Sequence, residues 1–164
     1  MTKVVKFGGS SLASAEQFKK VGDIIHADDA RRFVVPSAPG KRFSDDIKVT
    51  DMLYGCYDLA AKGKDFEKEF NAIKERYYGI INELGLDLSL ESEFDVIKAC
   101  FIGKAGRDYA ASRGEYLNGI ILANYLGYSF IDAADVIFFD DRGVFDAKKT
   151  NDVLSKKLSG MNNA

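Results

Sequence analysis

Apolar positions recur along this chain with two periods. Val4-Val5-Lys6-Phe7 is a short run of β-formers that stops at Gly8-Gly9. Ser14 and Gln17 then fit a capping box, and Phe18, Val21, Ile24 and Ile25 follow at helical spacing. The opening therefore reads strand, Gly-Gly-Ser-Ser loop, helix. Phe33-Val34-Val35 predicts a second strand, closed by Pro36 and the turn Ser37-Ala38-Pro39-Gly40. Its unbroken apolar character suits a parallel sheet covered on both faces.

After a charged loop, Thr50-Asp51 predicts a helix start, with Leu53, Tyr57 and Ala60 inward and Gly63 as C-cap. Phe66, Phe70, Ile73, Tyr77, Ile81 and Leu84 mark a long amphipathic helix ending at Gly85. Phe94, Ile97 and Phe101 mark another, and a third runs from about Asp108 to Leu126 before Gly127. Successive helices with no strand between them predict an insertion into an α/β frame. Tyr128-Ser129-Phe130-Ile131 is a third strand candidate. Val136 to Phe139 reads as a fourth strand or a buried helical turn. A short helix around Val153, Leu154 and Leu158 comes last. Strands alternating with helices indicate the α/β class with a parallel sheet.

Composition narrows the function classes. The chain has 164 residues, within the roughly 100–200 expected of one domain. Lys plus Arg number 23 against 25 Asp plus Glu, a formal charge of −2, so no basic surface for nucleic acid is indicated. No apolar run is long enough to span a bilayer, and a cytoplasmic location is expected. Cys56 and Cys100 form no CxxC pair and read as free thiols, and a single His26 excludes a His-rich metal site.

The strongest chemical signal is Lys6-Phe7-Gly8-Gly9-Ser10-Ser11. Adjacent glycines at a strand end let backbone approach a ligand closely, and amides opening a helix favour an anion. Lys6 adds a point charge. It is neither a GxxxxGK[ST] nor a GxGxxG loop, and a plain strand-to-helix turn is the competing reading. The Ser37 turn ends the second strand, so both loops should face one crevice beyond the carboxyl ends of the strands. Thr50 reads as an N-cap, as a substrate-binding hydroxyl, or as both. Gly114 interrupts a helix, which hints at close packing or ligand approach. Glu115 beside it could receive an ammonium group or simply be solvated. The scattered aspartates from Asp132 to Asp152 lack calcium-loop spacing and read as turns and helix caps, so no metal ligands are expected.

Together these segments resemble the aspartokinases of the amino acid kinase family. Lys6 to Ser11 is similar to their KFGG[TS]S signature, and Val34-Val35-Pro36-Ser37-Ala38 to their second strand and turn. Thr50-Asp51-Met52-Leu53 resembles the start of their next helix, and Ser112-Arg113-Gly114-Glu115-Tyr116-Leu117 their S-x-G-E-x-[LM] motif. Asp132-Ala133-Ala134-Asp135-Val136-Ile137 lies where the family usually has D-[AV]-R-x-[VI], but without its arginine.

The resemblance implies an α/β/α sandwich with a mostly parallel sheet. Residues 1–164 would be the N-terminal, acceptor-substrate part of the kinase domain. It would carry a helical insertion at about 50–104 and no regulatory domain. The implied reaction moves the γ-phosphoryl of ATP, with Mg2+ carried mainly by the phosphates, to the β-carboxylate of L-aspartate, in lysine, threonine and methionine synthesis. Lys6 would be catalytic; Lys6, Phe7, Gly8, Gly9 and Ser10 would hold phosphate; Ser37, Thr50 and Glu115 would bind aspartate. The family's later Gly-Gly-Ser-Asp and Thr-Asp-Val-x-Gly segments are absent from this sequence. The 164 residues are therefore expected to be inactive alone, with an uncovered sheet edge that favours a homo-oligomer. A glutamate, carbamate or nucleotide kinase of the same family, or a non-catalytic anion-binding or interaction module, is the alternative.

Overall fold

The structure is a computed structural model that describes residues 1–164. It opens with strand β1 (Lys3–Phe7), a 3₁₀ turn (Gly9–Leu12), helix α1 (Ala15–His26) and strand β2 (Arg31–Pro36). Four helices follow without an intervening strand: α2 (Val49–Ala61), α3 (Glu67–Leu84), α4 (Glu91–Ile102) and α5 (Arg107–Leu126). A second 3₁₀ turn (Ala133–Asp135) and helix α6 (Ala147–Ser159) complete the order. This is an α/β chain with a parallel β1–β2 pair, Val5 opposite Val34 and Phe7 opposite Pro36.

Helix limits follow local chemistry. The Gln17 amide donates to Ser14 Oγ at 3.5 Å at the start of α1. Gly85 and Gly127 end α3 and α5 with φ of 67° and 68°, a left-handed cap that favours glycine. At α2 the expectation is corrected. Lys48, not Thr50, is the N-cap, and it makes no side-chain capping bond. The Val49 amide donates instead to Pro39 O at 3.1 Å, so the Ser37–Gly40 turn itself satisfies the helix end.

The core lies among the helices. Phe70 stacks edge-on against Phe66, Phe94 and Phe101, and Tyr57 packs edge-on against Phe101. Such pairs add about 0.5–1.5 kcal/mol each beyond simple burial. Val5, Phe7 and Val34 pack onto this core from one face of the strands.

Three sequence expectations change. Val4 and Val35, on the other face, are 67% and 46% exposed, so within this chain helices cover only one side of the strands. Residues 128–131 form no strand. Ser129 makes one inter-segment backbone bond, to Asn163 O at 3.3 Å, while Ala164 bonds Arg32 and Val34 of β2. β-forming side chains do not hold an extended ladder without a full-length partner. Residues 136–139 are likewise irregular apart from a bridge between Phe139 and Phe145, with Val136 buried behind the second 3₁₀ turn.

Candidate active site

β1 delivers Lys6 and Phe7 to the carboxyl end of the strand pair. Gly8 continues in extended conformation (φ −77°, ψ 169°), and the 3₁₀ turn bonds first from the Ser11 amide to Gly8 O at 3.0 Å. The amides of Gly9 and Ser10 therefore precede the first bond of the turn. Lys6, Gly8 and Ser10 are exposed, so this end is open to a ligand.

The Ser37 turn lies directly against it. Lys6 Nζ donates to Ser37 Oγ at 3.4 Å, and the Ser37 amide to Phe7 O at 3.0 Å. The Gly40 amide donates to Gly9 O at 2.8 Å. A Cβ built on Gly40 would lie 2.6 Å from Gly9 C, and one on Gly9 would lie 2.8 Å from Ala38 O. Those neighbours are backbone and cannot step aside. The two loops touch main chain to main chain because both residues are glycine.

α5 closes the third side. Glu115 Oε1 accepts from the Ala38 amide at 3.3 Å, and Asn118, one turn on, donates through Nδ2 to Ser37 O at 2.7 Å. Glu115 is otherwise exposed, and its Oε2 makes no protein hydrogen bond. The helical glycine is explained by packing: a Cβ on Gly114 would lie 2.7 Å from Ala38 Cβ, 3.4 Å from Leu53 Cδ1 and 3.8 Å from Thr50 Oγ1. Tyr77, fully buried, donates to Gly114 O at 2.9 Å; burial foremost, then the charge of Glu115, pushes its phenol well above the ordinary range, so it stays a donor. Lys6, Ser37, Glu115 and Thr50 thus meet around one turn. Gly40, the last residue of the predicted turn, and Asn118, which was not singled out from sequence, belong to the same assembly.

A buried ion pair braces the crevice from behind. Arg76 of α3 donates to Asp46 Oδ2 at 2.7 Å and to Gly40 O at 2.6 Å. Asp46 also accepts from Arg42 Nε at 2.7 Å and Nη2 at 2.9 Å. The hydrogen bonds from Arg42 foremost, with Arg76 adding its charge, hold the Asp46 carboxyl far below the usual carboxylate range. The Asp residues near the C-terminus act locally: Asp132 caps the second 3₁₀ turn and Asp146 caps α6. No group of three or more His, Cys, Asp or Glu is arranged to hold a metal ion. No helix is long and apolar enough to cross a membrane.

Two glycine loops lie back to back at the strand ends, with a lysine on one and a helical carboxylate facing the other, around one open crevice. The sequence model of the amino acid kinase family matches residues 1–161. The chain belongs to the amino acid kinase family. Within that family it is 38% identical to Aspartokinase 3 of Bacillus subtilis, over 87% of this chain and 33% of the relative. It is 34% identical to the chloroplastic Aspartokinase 1 of Arabidopsis thaliana, over 77% of this chain and 23% of that one.

The chain thus spans about a quarter to a third of these relatives. The crystal structure of Clostridium acetobutylicum aspartate kinase superposes with a TM-score of 0.95 at 48% identity, covering 100% of this chain and 38% of that one. Escherichia coli aspartokinase III in complex with aspartate and ADP shares the fold, with a TM-score of 0.78 at 21% identity over 96% of this chain and 38% of the other.

Proposed function

We propose that this chain is the acceptor-substrate part of an aspartate kinase, residues 1–164 of the kinase domain, with a helical insertion at about 50–104. The observation that carries the reading is the convergence of Lys6, Ser37 and Glu115 on the paired Gly9 and Gly40 loops. In this reading Glu115 takes the ammonium of L-aspartate on its open Oε2. Thr50 and Ser37 hold the carboxylates, and the amides of Gly8, Gly9 and Ser10 hold the phosphoryl group. A β-carboxylate oxygen attacks the γ-phosphorus of ATP, the bond to the β,γ-bridging oxygen breaks, and ADP leaves as aspartyl phosphate forms.

The acceptor, with a carboxyl pKa of about 3.9, is already ionised at neutral pH, so no base is needed. Charge and alignment do the work, which suits a site built from one lysine and backbone amides. Mg2+ would travel on the phosphate oxygens and neutralise their charge. The nucleotide-side Gly-Gly-Ser-Asp and Thr-Asp-Val-x-Gly segments are absent from these 164 residues, so we do not expect turnover from them alone. Self-association through the open edge of β1 belongs to the same reading, and sedimentation reads it directly.

Amide NMR of the labelled chain tests the substrate. L-Aspartate should shift Ser37, Thr50 and Glu115 saturably, and succinate, lacking the ammonium, should bind about 10-fold more weakly. No shift at these residues, or equal binding of succinate, would refute the assignment.

A further inference from the structure

The opposite stripe of α5 carries a second cluster. Tyr109, Arg113 and Tyr116 lie four and three residues apart, so their side chains share one face, turned away from the Gly114–Asn118 stripe. With Val96 and Ile97 of α4 they line a recess of about 160 Å³. The Arg113 guanidinium sits between two phenol rings, 4.7 Å from the Tyr109 centroid and 4.6 Å from that of Tyr116. Its Nε and Nη2 donate to Ser112 Oγ at 3.1 and 3.0 Å. Nη1 has no partner, and Arg113 makes no ion pair with any carboxylate.

Glu93 lines the same recess. Its Oε2 accepts from Ser92 Oγ at 2.9 Å, and its Oε1 is free. Burial pushes the Tyr109 phenol up to about 12 and raises that of Tyr116 as well, so both rings are neutral at physiological pH. The lining therefore holds one positive and one negative group, each fixed by a local partner and not paired with the other. Ser92 and the aliphatic and aromatic walls of Val96, Ile97, Tyr109 and Tyr116 make up the rest.

A ligand that satisfies both groups carries a carboxylate and an ammonium on a small apolar body. We propose that the recess between α4 and α5 binds a free α-amino acid with an apolar side chain, its carboxylate on Arg113 and its ammonium on Glu93. The volume is well below the roughly 300–1,000 Å³ of pockets for drug-sized ligands, which limits the occupant to a single residue. Val96, Ile97 and the faces of the two rings would receive the side chain. The site is distinct from the Ser37–Glu115 crevice: it lies on the other stripe of α5, and its walls offer an aspartate side chain no further cation.

The test uses the whole chain and L-leucine as probe, followed by methyl and amide NMR. Leucine up to about 20 mM should give saturable shifts at Val96, Ile97 and Arg113, an affinity at the weak end of the specific range. N-Acetyl-L-leucine and L-leucinamide each lack one charge and should each bind about 10-fold more weakly, the loss expected for one charged hydrogen bond. Arg113→Met and Glu93→Gln should give the same loss. The analogue series stands alone if either variant does not fold. No saturable shift at these residues, equal binding of the two analogues and leucine, or equal binding of L-aspartate there would each overturn the proposal.

Discussion

Replacing Arg76 with Met should cost more stability than any exposed substitution on this chain. The Arg76 side chain is 4% exposed, and that of Asp46 is 8%. Two hydrogen bonds of good length are lost, one to Asp46 Oδ2 and one to the Gly40 carbonyl. Asp46 keeps its bonds to Arg42, which limits the damage to its charge. Breaking a buried pair from one side typically costs about 3–5 kcal/mol, and the surviving Arg42 contact places this case near the lower figure. With a urea m-value of about 2 kcal/mol/M, the midpoint should fall by roughly 1.5 M.

Arg76→Lys, which keeps the charge but not the planar fork, should fall between. Asp46→Asn in both backgrounds completes a double-mutant cycle, and the coupling should exceed about 1 kcal/mol. The measurement is urea unfolding followed by circular dichroism. A midpoint shift below about 0.3 M for Arg76→Met, or additive single mutants, would show that the pair does not brace the Gly40 turn.

Gly40→Ala puts a methyl against the Gly9 main chain, so the loops must part; we expect a loss of about 1–3 kcal/mol and faster hydrogen exchange at the Gly40 amide, with the α3 core unchanged. The folded pKa of Asp46 is depressed, so its stabilisation is fully present above the unfolded value of about 3.9 and is lost as pH falls below it. Between pH 6 and pH 3 the wild type should therefore lose more stability than Asp46→Asn, as urea midpoints at each pH would show. Glu115→Gln should bring L-aspartate and succinate to within about 2-fold of each other by removing one charge-assisted hydrogen bond, read by calorimetry.

The helices were legible because their apolar stripes are long and their ends carry glycines that the backbone requires, as at Gly85 and Gly127. The crevice was legible through Lys6, Gly8-Gly9 and Ser37 at the strand ends and through Gly114-Glu115, where a glycine interrupts a helix. Arg76 and Asn118 were not, because charged and amide side chains inside a helix read as solvated. Arg76 does stand on the buried stripe of Ile73, Tyr77 and Ile80, and that position was the available signal. The start of α2 was misplaced because the acceptor for Val49 comes from Pro39, a tertiary contact that no local pattern encodes. Residues 128–131 have strand composition, but pairing decides a strand, and here it is limited to Asn163.

The central claim is that this segment carries the acceptor and phosphoryl side of an aspartate kinase. Its most direct test is a chimera in which these 164 residues replace the matching part of Clostridium acetobutylicum aspartate kinase, to which they superpose over their whole length. The chimera should form aspartyl hydroxamate in an ATP- and aspartate-dependent assay. Lys6→Met should lower kcat by about 100-fold or more with a smaller change in the KM for aspartate, as expected for a group that acts on transition-state charge. A folded chimera without turnover, or a Lys6→Met chimera with unchanged kcat, would contradict the account.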